Sequence, residues 1–292
     1  VARMQRYIHN HIDESITMRD LAKEANYSLW YSAKMFREQT KKSPFAYIRE
    51  LRLTKAALQL RDTNDSILDT ALDFHFDSHE GFTRAFSKAF GVTPKKYQST
   101  APPIRLFYPY VVSTYHQYLE KRSEPEMTKS NTIFTQVIKK PKRKLIFLPG
   151  VIATHYFAYC EEVGCDVWGE LLSFKDTLTE PAGYWLPANM QSNSSPYVQG
   201  VEVPFDYTGK IPKSYQEIIL EEGYYMIFQG EPYEEDELTF MDKIRELQAS
   251  IKTFNPEMYG YRFDDKMPKF QFEPLGERGY IEGVPVKPFV KG

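Results

Sequence analysis

Two stretches of this 292-residue sequence share one layout, and this repeat constrains the fold more than any other feature of the chain. They read SLWYSAKMFREQTKKSPFAY at 28–47 and SHEGFTRAFSKAFGVTPKKY at 78–97. Each begins with Ser, has a basic residue six positions later and Phe eight positions later, and closes with a hydroxyl residue beside Pro and then Tyr. Such self-similarity predicts one supersecondary unit that the chain forms twice.

The residues upstream of each stretch predict what that unit is. Each copy has, in order, a hydroxyl residue able to cap a helix, a small residue mid-helix, a residue tolerant of positive φ, and a second capping residue. A short helix, a tight turn and a longer helix form a helix-turn-helix. The four residues are Thr17, Ala22, Asn26 and Ser28 in the first copy, and Ser66, Ala71, His75 and Ser78 in the second.

The second helix of each copy has two distinct faces at 3.6 residues per turn. One face carries the aromatic residues expected in a core, among them Phe36 and Phe86. The opposite face carries side chains that can reach phosphates, guanine acceptors or a thymine methyl. A merely solvated face is the alternative for a lone amphipathic helix, and the duplication favours DNA contact. This face consists of Trp30, Ala33, Lys34 and Arg37 in the first copy and of Glu80, Thr83, Arg84 and Ser87 in the second, and all of them except Glu80 and Ser87 are candidates for DNA contact.

The hydroxyl–Pro pairs predict a further helix after each unit, with Pro at its first position. The first of these would run from Pro44 to about Arg61 and span about 26 Å. A spacer of this length suits two reading helices set near one turn of duplex apart, roughly 34 Å. The repeat therefore predicts one chain that grips two successive major grooves without dimerising.

Residues 3–98 resemble the DNA-binding domain of the AraC/XylS family of transcription regulators. The motif that carries the resemblance is Phe-x3-Phe-x3-Phe-Gly-x-Thr-Pro-x-x-Tyr, present here as Phe82, Phe86, Phe90, Gly91, Thr93, Pro94 and Tyr97. The resemblance implies an all-α tandem helix-turn-helix domain at 1–100 and a transcriptional activator with double-stranded DNA and RNA polymerase as partners. It also implies that Trp30, Lys34 and Arg37 contact DNA in the first unit, and His79 and Arg84 in the second.

The rest of the chain predicts a linker at 101–129 and an α+β domain at 130–292. A weaker duplication pairs Tyr197–Val203 with Tyr280–Val286, and each copy closes a strand, helix, strand and strand series. Two such series favour an antiparallel sheet with helices on one side. Through EEGYYMIFQGEPY at 221–233 and GERGYIEGVPVK at 276–287, this half resembles the gyrase-inhibitor-like (GyrI-like) effector-binding domains.

That second resemblance implies a small amphipathic or cationic ligand held by a carboxylate in an aromatic cleft. Aromatic faces beside one buried negative charge suit a flat cation. An ordinary aromatic core is the alternative for any single ring. The candidate ligand-binding residues are Trp168, Tyr184, Trp185, Tyr224, Tyr225, Tyr280 and Glu282.

Composition excludes several other classes of protein. Residues 1–100 carry a balance of +4 and the remainder −6, which is typical of a polyanion-binding module joined to an acidic domain. No apolar run reaches spanning length, so neither a membrane segment nor a membrane partner is expected, and two cysteines favour the cytoplasm. The sequence has no Walker loop, dinucleotide fingerprint or metal-ligand spacing, so no cofactor, metal or enzyme activity is expected. The alternatives to a ligand-modulated transcriptional regulator are a DNA-tethered protein whose C-terminal domain is a protein-interaction module or a GyrI-like hydrolase.

Overall fold

A computed structural model describes residues 1–109, 132–164, 166–233 and 239–289. The chain divides into two compact units, one formed by Val1–Tyr115 with Ser173–Lys175 and the other by the remaining residues. The predicted linker at 101–129 lies outside the described residues from position 110 onward.

The N-terminal unit consists of α-helices, as the repeat predicts. The first helix-turn-helix is α2 and α3, the second is α5 and α6, and α4 joins the two. The helices are α1 (Ala2–Asn10), α2 (Met18–Ala25), α3 (Leu29–Thr40), α4 (Pro44–Asp62), α5 (Ile67–Asp73), α6 (His79–Phe90) and α7 (Pro94–Thr100).

Local side-chain chemistry fixes where these helices begin. Each predicted capping hydroxyl accepts a hydrogen bond from the backbone N–H of the third residue of its helix, and Thr17 and Asp20 form a reciprocal capping box. Asn26 and His75 adopt φ values of 57° and 59°, the left-handed conformation predicted for the two turns. The repeat in sequence is therefore a repeat in backbone conformation.

Two sets of packed side chains hold the N-terminal unit together. Phe36 and Tyr47 belong to a buried cluster around the first helix-turn-helix, and Phe82, Phe86 and Tyr97 are fully buried in the second. The helical periodicity also places Gln39 and Ala89 on the core faces of α3 and α6, but both residues lie in the last helical turn and are exposed, so each buried face ends one turn before its helix does.

The second unit is an antiparallel sheet with helices, in agreement with the sheet-rich half predicted after the helical region. Its strand order is β1-β6-β9-β8-β3-β4-β2-β5, with β7 paired to β9. The strands are β1 (Ile133–Lys140), β2 (Arg143–Leu148), β3 (Ala182–Trp185), β4 (Tyr197–Pro204), β5 (Gln216–Leu220), β6 (Gly223–Gly230), β7 (Tyr261–Phe263), β8 (Lys269–Phe272) and β9 (Ile281–Pro288); the helices are α8 (Tyr156–Val163), α9 (Val167–Leu172) and α10 (Thr239–Thr253).

Register assigns the side chains of this sheet to two faces. Phe228 lies opposite Glu282, Glu282 opposite Gln271, and Gln271 opposite Gly183, so these positions share one face. Phe228 packs in the cluster that contains Leu247 of α10, which identifies this as the helix-covered face. Residues one position along each strand point to the opposite face.

Candidate nucleic-acid interface and candidate ligand site

The solvent-exposed face of α3 carries the residues predicted to contact DNA in the first unit. Trp30 is 72% exposed, which is far from the burial expected of a core indole. Lys34 and Arg37 are exposed on the following turns, and Ala33 is half-buried between them. The Lys34 ammonium lies 5.4 Å from the centroid of the Trp30 ring and 3.9 Å from Glu38. The face is therefore basic and aromatic, and it is open to a groove-sized partner.

Sequence reasoning missed two further aromatic residues beside this face. Tyr27 and Tyr31 are both exposed, and their ring centroids lie 5.0 Å apart in an edge-to-face arrangement. Tyr27 lies in the turn before α3 and Tyr31 in its first helical turn. The signal was present as three aromatic residues within five positions, 27–31, at the start of the predicted reading helix.

The second reading helix is less uniform. His79 and Arg84 are exposed on α6, but the Thr83 hydroxyl is buried and has no hydrogen-bond partner among the described residues. Glu80 is exposed in the first helical turn, where a carboxylate stabilises the positive end of the helix dipole. The same charge repels phosphate. This arrangement makes α3 the better supported of the two helices for contact with DNA.

The predicted ligand-binding residues divide between the two faces of the sheet. Trp185, Tyr224, Tyr280 and Glu282 belong to the helix-covered face, whereas Tyr184 and Tyr225 belong to the opposite face. Trp168 is buried on α9. Since neighbouring residues on a strand point in opposite directions, Tyr184 and Tyr225 do not share a site with Glu282.

Glu282 is a buried carboxylate with three side-chain partners. Its Oε1 accepts hydrogen bonds from Gln248 Nε2 at 2.6 Å and from the Tyr280 hydroxyl at 2.8 Å. Its Oε2 lies 3.5 Å from Lys269 Nζ. Burial, with the neighbouring Glu282 charge, raises the pKa of Tyr280 well above its usual value, so this phenol stays protonated and donates. Trp185 lies next to this carboxylate, because the Lys269 ammonium packs over the Trp185 ring.

The opposite face of the sheet holds a buried ion cluster that the sequence analysis did not identify. Glu202 Oε2 lies 2.5 Å from Lys140 Nζ and 2.9 Å from Arg143 Nε, and all three side chains are buried. Arg143 also donates to the Tyr225 hydroxyl at 3.2 Å. Burial raises the pKa of Tyr225 to about 12 and lowers the pKa of Lys140, the latter partly offset by Glu202. The Tyr225 hydroxyl is therefore a hydrogen-bond partner inside this buried cluster.

Two other kinds of feature are not found in the part of the chain that the structure describes. Among those residues, no group of three or more His, Cys, Asp or Glu side chains could hold a metal ion. Within the same ranges, no helix combines the length and the apolar character needed to cross a bilayer.

Comparison with known proteins places the similarity in the helical third of the chain. Residues 21–100 match the family model described as Helix-turn-helix domain. The Right origin-binding protein of Escherichia coli (strain K12) is 40% identical over 108 residues, or 34% of this chain and 37% of that protein. Regulatory protein SoxS of Salmonella typhimurium is 39% identical over 92 residues, or 32% of this chain and 86% of that protein.

Solved structures match over the same share of the chain. A transcriptional regulator with an AraC-type DNA-binding domain from Chromobacterium violaceum is 25% identical, with 33% of this chain and 87% of that chain covered and a TM-score of 0.32. The alignment with the Right origin-binding protein spans only 37% of that protein's own length. The residues that match the family model, 21–100, all lie in the N-terminal unit.

Proposed function

Because the chain belongs to the AraC family of helix-turn-helix proteins, we propose that it is a transcriptional regulator that binds an asymmetric DNA site as a single chain. The observation that carries the proposal is the exposed, basic and aromatic face of α3 on a capped and tightly packed helix. Arg and Lys on such a face reach guanine acceptors and phosphates, and an indole packs on thymine methyls or sugars.

We propose that the second reading helix enters a neighbouring major groove. The joining helix α4 has 19 residues and is therefore about 28 Å long. This length supports two reading helices set near one helical turn of duplex apart, roughly 34 Å. By family resemblance the regulator would act in the cytoplasm as an activator that contacts RNA polymerase, and this proposal assigns it no catalytic activity.

We propose that the sheet domain is a GyrI-like effector-binding domain built from two related series, β1–β4 with α8 and α9, and β5–β9 with α10. Glu282, Tyr280 and Trp185 would form its ligand site, because they place a buried carboxylate beside an indole on the helix-covered face. A flat aromatic cation matches this pair by charge and by cation–π attraction. A domain that serves only as a protein-interaction surface is the competing proposal.

Substitution on α3 tests the DNA proposal residue by residue. We expect Lys34→Ala to weaken binding to every sequence and to reduce the salt slope of log K by about 1, because a phosphate contact carries no base information. We expect Arg37→Ala to cost about 1–3 kcal/mol at one guanine position and to relax the preference there. Fluorescence anisotropy at several salt concentrations measures both effects.

Lys55→Ala supplies the matched control, since Lys55 lies on α4 and pairs with Asp13 outside both reading helices. It removes the same charge from the unit and should change the affinity far less than Lys34→Ala. Equal, sequence-independent losses in Lys34→Ala and Arg37→Ala would remove the base-reading role given to Arg37.

Loss of one carboxylate tests the ligand site. We expect Glu282→Gln to bind the fluorescent cation N-methylacridinium at least tenfold more weakly than the unaltered chain, because the buried negative charge is gone. Glu221→Gln is the control, as Glu221 is exposed and pairs with Lys142. Unchanged binding in Glu282→Gln would mean that the cation does not bind at Glu282, and no binding to the unaltered chain would favour the interaction-surface alternative.

A further inference from the structure

We infer that Lys269 is a built-in cation that occupies the ligand site, and that an external cation binds by displacing it. This inference rests on the proposed ligand site and adds how that site is regulated and which ligands it admits. The Lys269 ammonium lies 4.0 Å from the centroid of the Trp185 ring and 3.5 Å from Glu282 Oε2. An aromatic face and a carboxylate are the two groups expected to receive a cationic ligand.

Strand register places these three side chains together. Lys269 on β8 lies directly opposite Trp185 on β3, and Gln271, two residues further along β8, lies directly opposite Glu282 on β9. All four positions share the helix-covered face. The lysine therefore extends along the sheet between the indole of one neighbouring strand and the carboxylate of the other.

The two receiving groups are fixed, and the lysine is not. Trp185 Nε1 donates to the Thr154 carbonyl at 3.1 Å, and its ring packs edge-to-face on Tyr197 at 5.2 Å between centroids. Glu282 is held by its bonds from Gln248 and Tyr280. In contrast, the Lys269 side chain is 36% exposed while that of Glu282 is 1% exposed. Lys269 can turn its ammonium into solvent, whereas Glu282 cannot follow.

This difference in burial selects the charge of the ligand. A buried carboxylate that loses its ion-pair partner is strongly destabilised. A neutral molecule that displaced Lys269 would leave Glu282 in that condition, whereas a cation restores the missing charge. The site should therefore admit flat aromatic monocations and exclude neutral molecules of the same shape.

The test uses the full chain and three dyes of one shape and different charge. N-methylacridinium is cationic, acridine at pH 8 is neutral, and acridine-9-carboxylate is anionic. Lys269→Met removes the internal cation but keeps a long side chain, and Lys269→Arg keeps the charge. We expect Lys269→Met to bind N-methylacridinium about tenfold more tightly than the unaltered chain, and Lys269→Arg to stay within about threefold of it. Acridine should show no such gain.

A second measurement needs no ligand and guards against a variant that simply folds poorly. Reductive methylation, mapped by mass spectrometry, reports how freely each lysine amine reacts. Lys269 should react several-fold faster in Glu282→Gln than in the unaltered chain, while Lys142 on the exposed pair with Glu221 should react equally in both. An unchanged rate at Lys269 would mean that Glu282 does not hold it, and would overturn the inference.

The dye results separate this inference from the ligand proposal beneath it. If Glu282→Gln loses the cation but Lys269→Met does not gain it, the site stands and the role of Lys269 is wrong. If Lys269→Met instead loses acridine-9-carboxylate, the lysine is an anion receptor and the inference is overturned. If no variant binds any of the dyes, the ligand proposal and the inference both fail.

Discussion

Replacing Phe86 with alanine should unfold the second helix-turn-helix and abolish its contribution to DNA binding. Phe86 is fully buried, and its ring centroid lies 4.7 Å from that of Phe90, 5.6 Å from that of Phe82 and 5.7 Å from that of Tyr97. Truncation of a buried Phe costs about 3–5 kcal/mol through lost transfer free energy and the remaining cavity. That is a large share of the stability of a small domain.

Phe45→Ala is the matched control, because Phe45 is 52% exposed near the start of α4. It should change the free energy of unfolding by no more than about 0.5 kcal/mol. Urea unfolding followed by far-UV circular dichroism measures the helical unit, and DNA affinity is read on the same samples. If Phe86→Ala proved as stable as Phe45→Ala, the aromatic cluster would not be the core of the second unit.

A second large loss of stability is expected when Glu202 in the sheet domain is replaced by Gln. Glu202→Gln leaves Arg143 buried without its countercharge, and removing one partner of a buried ion pair costs about 3–5 kcal/mol. Lys140 loses its partner in the same step, although burial already lowers its pKa and makes the neutral form more accessible. The variant should therefore unfold at a markedly lower urea concentration than the unaltered chain.

Glu221→Gln provides the comparison, since an exposed ion pair contributes about 1 kcal/mol or less. Of the three tryptophans, Trp168 and Trp185 lie in the sheet domain and Trp30 is already exposed on α3, so a change in tryptophan fluorescence on unfolding reports mainly on the sheet domain. A loss in Glu202→Gln no greater than that in Glu221→Gln would show that the Arg143 charge is compensated by other groups.

Local features of this fold could be predicted from sequence because their causes are local. A hydroxyl at an N-cap acts within three residues, and so does the left-handed turn at Asn26 or His75. The exposed face of α3 follows from helical periodicity alone, which is why Trp30 was found on it. The repeat also made it possible to predict two helix-turn-helix units, because a pattern that occurs twice in one chain is far more specific than one amphipathic helix.

The sites in the sheet could not be predicted as fully, because they depend on which strands become neighbours. Lys269, Trp185 and Glu282 come from three strands, and the sequence does not state their order or register. Because strand register was not known, Tyr225 was predicted to bind the ligand, although its ring lies on the opposite face of the sheet beside Arg143. Glu202 was not predicted to be buried, because a charged residue in a strand is expected at the surface unless its ion-pair partners are known.

The central claim is that one chain reads two successive grooves of DNA. Its most direct test is to select duplexes from a random pool with the full chain at two salt concentrations, sequence the retained fraction and determine the stoichiometry of the complex. We expect an asymmetric motif with two contact blocks one helical turn, roughly 34 Å, apart, bound by one chain and more weakly at high salt. No enriched motif, or one short block only, would contradict it.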